Sequence, residues 1–528
     1  MTPGTAGPDG LAEYSGTIPR LLAAAAARDP GGTWLRTDDT TLTFAEAVAL
    51  VAALALTLRT AGIRRSDLVM MTARTTPPYL LSWLALASLG AVTVPVNPRS
   101  APAELAGLVQ QVSPRALISD AGLGALIDAV QVAEVPELGL LDVDELLALA
   151  QMPGPARRSG GVAALPDVAG PDDLAVMIPT SGTTGRSKLV MQTHRAYAMA
   201  GEGFPFWMEL TAADRLMTSL PLFHVNAPAY SVLGSLACGA GLILLPRFSA
   251  SGFLDAARRH GATEFNAIGA MLEILMRQPP RPDDADTPLR LCYTGPAPER
   301  ERQLEIERRF GLRIVVGYAM SESPYGLIWA RGTRPYGTLG SVRQHPVLGT
   351  VNRARVVGPD GRVLGPGETG EMQLRNPVLT RGYWGMPEET GALFDDGWLH
   401  TGDLVTVGGD GTYTFVGRQK EVLRRRGENL SPLEVEEVLE AHPSVLEAAV
   451  VGVASELSEE EVKAFIVPAA GASISFDELR AFAAERLAAF KVPRYWQEIA
   501  ALPRTPTARL AKHRLPAGHQ PGEYDAEA

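Results

Sequence analysis

Val176 to His194 reads VMIPTSGTTGRSKLVMQTH. The apolar run from Leu174 to Ile178 predicts a buried strand. It breaks into Thr180-Ser181-Gly182-Thr183-Thr184-Gly185-Arg186-Ser187-Lys188, nine residues without an apolar side chain. Glycines at 182 and 185 let backbone N–H groups turn toward an anion, and the hydroxyls and the lysine add donors. That is the chemistry of a phosphate cradle. It is not the Walker loop, because Lys188 follows Ser187 and precedes Leu189, so the Gly-Lys-Ser/Thr ending is missing. Its length, its place directly behind a strand and its terminal lysine separate it from an ordinary polar turn.

At 528 residues the chain exceeds what one hydrophobic core supports, so two or more domains are expected. Mean hydropathy of +0.04 describes a globular protein, and no run approaches the roughly 18 to 20 apolar residues of a membrane helix. The N-terminus, MTPGTAGPDGLAEYSG, lacks the basic start and apolar centre of a signal peptide. Cys238 and Cys292 lie in apolar surroundings and suggest neither a disulfide framework nor a metal site. A net charge of −11 without a compact basic stripe argues against nucleic acid. A cytoplasmic enzyme is expected, with no membrane partner; a homodimer is compatible with the composition. Only five of the 48 basic residues are lysines, at 188, 420, 463, 491 and 512.

Residues 1–16 read as a disordered tail. A helix is expected from Thr17 to Arg28, and Thr43 with Glu46 predicts a capping box for another ending near Gly62. Strands at Leu68–Thr72 and Ala91–Val94 alternate with helices at Pro77–Leu89 and Ala103–Val112. Such alternation predicts a parallel sheet with helices on both faces. Residues 151–171 read as an irregular connector. Asp-Gly pairs at 360–361 and 410–411 predict the hairpins of a small antiparallel subdomain. Ser431-Pro432 with Glu434 predicts a capped helix start. Beyond it, strands are expected near 447–453 and 462–467, and Ser475 with Glu478 predicts a helix reaching Phe490.

TSGTTGxxK resembles the phosphate loop of the adenylate-forming superfamily: acyl-CoA synthetases, peptide-synthetase adenylation domains and luciferases. Further segments resemble that family in the same order. Tyr293-Thr294-Gly295-Pro296-Ala297 is similar to the segment whose backbone faces adenine. Tyr318-Ala319-Met320-Ser321-Glu322 resembles its YGxTE motif, and Thr401-Gly402-Asp403 its TGD motif. Gly417-Arg418-Gln419-Lys420-Glu421 with Gly427, Asn429, Pro432 and Glu434 resembles GRxKD…GxNxxPxE. The resemblance implies an α/β fold with a large N-terminal domain of stacked mixed sheets and flanking helices plus a small β-subdomain, over residues 17–419. It also implies a small mobile α+β C-terminal domain over 420–528.

The resemblance further assigns roles. Thr180, Ser181, Gly182, Thr183, Thr184, Gly185 and Lys188 would cradle the phosphates of ATP. Gly295, Pro296, Ala297 and Tyr318 would border adenine, Ser321 would reach a phosphate, and Glu322 would bind Mg²⁺. Asp403 and Arg418 would hold the ribose, and Lys420 would be the hinge. Arg424, Arg425, Arg426, Gly427 and Glu428 would face CoA. His224, Val225, Asn226 and Ala227, in the PLFH-like stretch, would line the acyl pocket, although a lone histidine such as His224 reads equally as a core residue. No carboxylate occurs between Pro221 and Ser249, which disfavours an amino-acid substrate and favours a medium or bulky apolar acid, such as one of specialised metabolism.

One motif departs from the family. Where its last segment reads roughly PRTxTGKIxK, this chain has Pro503-Arg504-Thr505-Pro506-Thr507-Ala508-Arg509-Leu510-Ala511-Lys512. Arg509 stands where the family carries the lysine that drives adenylation. A guanidinium is broad and planar, an ammonium a compact point charge. The expectation is therefore an acyl-CoA ligase whose thioester-forming half is intact and whose adenylation is weak or absent, fed with acyl-adenylate by a separate adenylating enzyme. The alternatives are a full ATP-dependent acyl-CoA synthetase and a stand-alone adenylase loading a carrier protein.

Overall fold

The computed structural model describes residues 16–100, 102–123, 139–152, 165–180, 187–295, 297–419, 423–425, 428–454, 460–487, 491–504, 510–516 and 518–527. The chain divides into two compact units, Met1–Ala354 with Leu374–Leu399, and Arg355–Gln373 with His400–Ala528. The expected boundary at 420 and, apart from Gly16, the expected tail over residues 1–16 fall on residues outside those described.

The first unit holds two large sheets. One has six strands, in the order Gly139–Asp142, Ala116–Ser119, Leu68–Thr72, Val92–Pro95, Leu174–Thr180 and Lys188–Thr193. All neighbours are parallel except the last pair, a hairpin. The other has nine strands. Its parallel centre includes Gly241–Leu244, Arg215–Thr218, Glu264–Asn266, Leu291–Thr294 and Arg313–Met320, and antiparallel strands close both ends. The helices form where expected. Thr17 caps Ile18–Arg28 by accepting from the Arg20 N–H, and Thr43 and Glu46 form the reciprocal capping box of Phe44–Thr60.

Helix His194–Met208 follows the six-stranded sheet directly and is buried on nearly every side, enclosing His194 and Glu202 among its apolar side chains. Glycines let it approach the helix Leu233–Cys238 closely. A Cβ on Gly201 would lie 2.5 Å from the Leu233 Cβ, and one on Gly234 would lie 2.9 Å from the Phe204 ring. Both approaches are too short for any side chain, so glycine is what permits this packing.

In the second unit, Tyr413–Arg418 pairs antiparallel with Trp398–Val407. The glycines of both Asp-Gly turns have positive φ, Gly361 at 79° and Gly411 at 77°, as tight turns of this type require. A four-stranded sheet follows, in the order Val445–Ala454, Glu460–Pro468, Tyr495–Glu498 and Tyr524–Asp525, with helices Pro432–Glu440 and Phe476–Ala484. Two expectations are corrected here. The capped helix begins at Pro432, but Ser431 makes no cap; its hydroxyl donates to the Val416 carbonyl at 2.7 Å. Glu434 is instead held by the Lys491 ammonium at 2.6 Å. The helix capped by Ser475 ends at Ala484, short of Phe490.

Candidate active site

The stretch read as a phosphate cradle runs from the end of strand Leu174–Thr180 to the start of strand Lys188–Thr193, which pair antiparallel. Residues 181–186 lie outside those described. Its two shoulders do not: Thr180 pairs with Lys188, and the Thr180 hydroxyl donates to the Lys188 carbonyl at 3.3 Å. Residues 381–384 run beside the outgoing strand and extend its ladder. The Met191 N–H donates to the Gly382 carbonyl, Arg381 N–H to Met191 and Trp384 N–H to Leu189, each at 3.0 Å. This pairing sets the Tyr383 ring beside Lys188, whose ammonium lies 4.5 Å from the ring centroid.

Tyr383 in turn positions Glu322. Its hydroxyl donates to Glu322 Oε1 at 2.9 Å. Burial, and then the Glu322 charge, push the phenol far above its ordinary pKa, so it remains a donor. The backbone of the Ser321–Glu322 turn is clamped from both sides. Gln192 Nε2 donates to the Ser321 carbonyl at 2.6 Å and the Thr380 N–H to the Glu322 carbonyl at 2.8 Å. Sequence reading named Lys188, Ser321 and Glu322 but missed Tyr383, Gln192 and Thr380, which bring them together.

The strand ends beside this cluster approach closely. A Cβ on Gly295 would lie 2.4 Å from the Gly317 carbonyl oxygen, so only glycine fits. Tyr318 follows on the same strand, half-buried, and Ala297 packs against the core; Pro296 lies outside the described residues. His224 is half-buried, its ring 4.6 Å from that of Phe223. Ala227 is buried and Val225 packs on the core. Asn226 Oδ1 accepts from Asn266 Nδ2 at 2.6 Å, and Asn266 is paired in the sheet with Tyr293. The acyl-pocket candidates thus adjoin the carboxyl ends of the parallel strands, where open α/β sheets place ligands.

In the second unit, Gly402 has φ of 69° and its N–H donates to Glu371 Oε1 at 3.0 Å. Asp403 follows, paired in register with Arg418. Arg418 Nε stands 3.0 Å from Asp403 Oδ1, the carboxylate 3% and the arginine 56% exposed. Lys420, Arg426, Gly427 and Arg509 lie outside the described residues. The backbones of Arg424 and Glu428 belong to a short hairpin. Arg425 departs from the expected phosphate-facing cluster: it is 3% exposed, donates to the Val492 carbonyl and pairs with Glu461 at 2.6 Å. A buried carboxylate has drawn it inward.

The background chemistry is quiet. Burial pushes the Cys238 thiol up to about 12 and raises Cys292 as well, so neither is a nucleophile near neutral pH. Among the described residues, no group of three or more His, Cys, Asp and Glu side chains could hold a metal, and no helix is long and apolar enough to cross a membrane.

Residues 22–384 match the model of the AMP-binding enzyme family, and residues 434–509 that of the AMP-binding enzyme C-terminal domain. The crotonobetaine/carnitine–CoA ligase of Salmonella heidelberg is 31% identical over 470 residues, covering 86% of this chain and 89% of that protein. The solved structure of ATP-bound MatB from Rhodopseudomonas palustris superposes with a TM-score of 0.84 at 27% identity, covering 94% of this chain and 98% of that one. The o-succinylbenzoate CoA synthetase MenE of Bacillus subtilis, solved with its acyl-adenylate intermediate, gives 0.82 at 25% identity, covering 95% and 99%. The chain therefore belongs to the AMP-binding, adenylate-forming enzyme family, on its acyl-CoA ligase branch, and is an acid–thiol ligase of the AMP-forming type.

Proposed function

We propose that the protein is a complete ATP-dependent acyl-CoA ligase, carrying out both half-reactions on one chain. In the first, the acid's carboxylate oxygen attacks the α-phosphorus of ATP and pyrophosphate leaves. In the second, the CoA sulfur attacks the acyl carbon and AMP leaves.

The observation that carries this reading is the Lys188–Tyr383–Glu322 cluster, in which the tyrosine hydroxyl fixes the carboxylate at 2.9 Å. A carboxylate and an ammonium beside a phosphate loop serve the leaving pyrophosphate, which only the adenylating half releases. An enzyme confined to the second half would have no use for them. One fixed carboxylate, with no full cage of protein ligands among the described residues, suits Mg²⁺ that keeps waters and arrives with nucleotide phosphates. Glu322 would hold it, and its charge would offset that of the phosphates. In this reading Asp403 and Arg418 hold the ribose, Gly295 and Tyr318 border adenine, and the residue at 420 is the hinge of a mobile C-terminal domain.

One sequence feature favours the narrower alternative, the thioester-forming half alone: Arg509 in place of the family's lysine. Lys512, three positions on, offers no replacement as it stands, since its ammonium is paired with Glu436 Oε1 at 2.7 Å. The test is to incubate the purified protein with a panel of acids, MgATP and CoA, then with a synthetic acyl-adenylate and CoA. Acid-dependent ATP–pyrophosphate exchange together with thioester is expected. Thioester from supplied adenylate without exchange would assign the protein to the second half only, and thioester from neither would overturn both readings.

A further inference from the structure

Arg343 is fully buried, yet among the described residues no carboxylate lies within ion-pair distance of it. Its Nε donates to the Leu327 carbonyl at 3.0 Å. Nη1 donates to the Tyr230 hydroxyl at 3.0 Å and the Pro324 carbonyl at 3.2 Å, and Nη2 to the Tyr293 hydroxyl. Ring faces complete the enclosure, with the guanidinium carbon 4.6 Å from the Trp207 centroid and 5.1 Å from that of Tyr230. Glu202, a buried carboxylate of the neighbouring helix, is turned to His345 Nε2 at 3.3 Å. Dipoles and ring faces satisfy the N–H groups and stabilise the cation, but they do not cancel a unit charge. A guanidinium cannot escape by losing its proton.

The position of this charge matters. Tyr230 belongs to the π-helical segment Ala227–Val232, which begins at Ala227, the last of the candidate acyl-pocket residues. Tyr293 is the penultimate residue of the strand Leu291–Thr294, which leads into Gly295. Arg343 Nη2 lies 3.0 Å from where a Cβ on Gly317 would stand, one residue before Tyr318. The cation therefore sits directly behind the backbone that borders the site. The sequence on the acyl side adds an independent fact: between Pro221 and Ser249 there is no Asp or Glu to receive a positive group.

We propose that Arg343 sets the charge class of the acid, so that the enzyme takes carboxylic acids with neutral or anionic tails and rejects those with cationic tails. This deepens the ligase reading and rests on Ala227–Val232 being the acyl-side wall. The attraction helps gather a carboxylate into the site, while a quaternary ammonium tail meets a like charge across low-dielectric protein and finds no carboxylate between Pro221 and Ser249 to receive it. Like charges about 8 Å apart at an effective dielectric near 20 give discrimination of about 30-fold.

The test uses two non-hydrolysable acyl-sulfamoyl adenosines of equal length, one ending in a tert-butyl group and one in the isosteric trimethylammonium group. Each is titrated calorimetrically into the full chain, into Arg343→Met and into Arg343→Lys. The wild-type protein is expected to bind the neutral analogue at least about 30-fold more tightly. Arg343→Met, which keeps bulk and drops charge, is expected to narrow the ratio to within about threefold, and Arg343→Lys to preserve it. Equal binding of both analogues by the wild type overturns the proposal even if neither variant folds. An unchanged ratio in a folded Arg343→Met overturns it too. Binding of neither analogue to the wild type removes the ligase reading on which it rests, an outcome distinct from both.

Discussion

Replacing Tyr383 by phenylalanine removes one oxygen atom and leaves the ring in place. The oxygen donates to Glu322 Oε1 at 2.9 Å, whereas the ring face supports Lys188 at 4.5 Å, so the substitution separates the two contacts. A hydrogen bond to a charged group contributes about 1.5 to 3 kcal/mol. At 1.4 kcal/mol per decade, its loss should weaken MgATP binding by roughly 10- to 150-fold if the bond is formed only with the carboxylate in its productive position. The backbone clamps from Gln192 and Thr380 remain, so the turn stays folded while the carboxylate gains freedom. Calorimetric titration of MgATP into wild type and Tyr383→Phe measures the change without requiring turnover. Thermal unfolding of the same samples checks the fold, and repetition at several Mg²⁺ concentrations shows whether the loss follows the metal. An affinity within twofold of wild type, with an unchanged unfolding midpoint, would refute the claim that Tyr383 positions Glu322.

Two further outcomes are expected. His194 is buried with neither ring nitrogen hydrogen-bonded among the described residues, and desolvation lowers its pKa from 6.5 to about 4, against a smaller pull from Asp173. The unfolded chain then binds the proton first as pH falls, so stability is lost between about pH 6.5 and 4, by about 3 kcal/mol over that window at 1.36 kcal/mol per unit. His194→Gln should flatten the acid limb of denaturant midpoints by that amount, and an unaltered limb would rule His194 out as its cause. Asp403→Ala removes a nearly buried carboxylate that the ribose hydroxyls would engage. AMP affinity should fall roughly tenfold or more, and unchanged calorimetric affinity would place the nucleotide elsewhere.

Most of the architecture was legible because its signals are local. The strand before the phosphate loop, the alternation of strands and helices over Leu68–Val112, and the Thr43–Glu46 box depend on neighbours a few residues apart. The Asp-Gly turns are equally local, since positive φ is a property of the glycine itself. What escaped was decided by distant partners. Ser431 and Glu434 have the spacing of a capping box, but Val416 and Lys491 offered them other bonds. Arg425 looked like one of three exposed arginines until Glu461 was placed beside it. Tyr383 and Gln192 carried no motif of their own. Their roles come from a ladder joining residues 189–191 to 381–384, and such long-range pairing leaves no trace in spacing.

On the proposed placement of Ala227–Val232 as the acyl-side wall, its π-helical turn also bears on how the acid range of such an enzyme could change. A π-turn amounts to one residue more than the α-helical register needs, and here it opens the helix that continues over Leu233–Cys238. Deleting a single residue there would let the turn relax to α-helical hydrogen bonding without opening a loop. Side chains on one side of the cut would rotate by about 100° relative to those on the other. Tyr230 would leave its place against Phe204 and Arg343, and a different set of apolar groups would face the site. A one-codon deletion would thus re-tile a whole wall at once, a larger step in substrate range than a point substitution on the same wall would take.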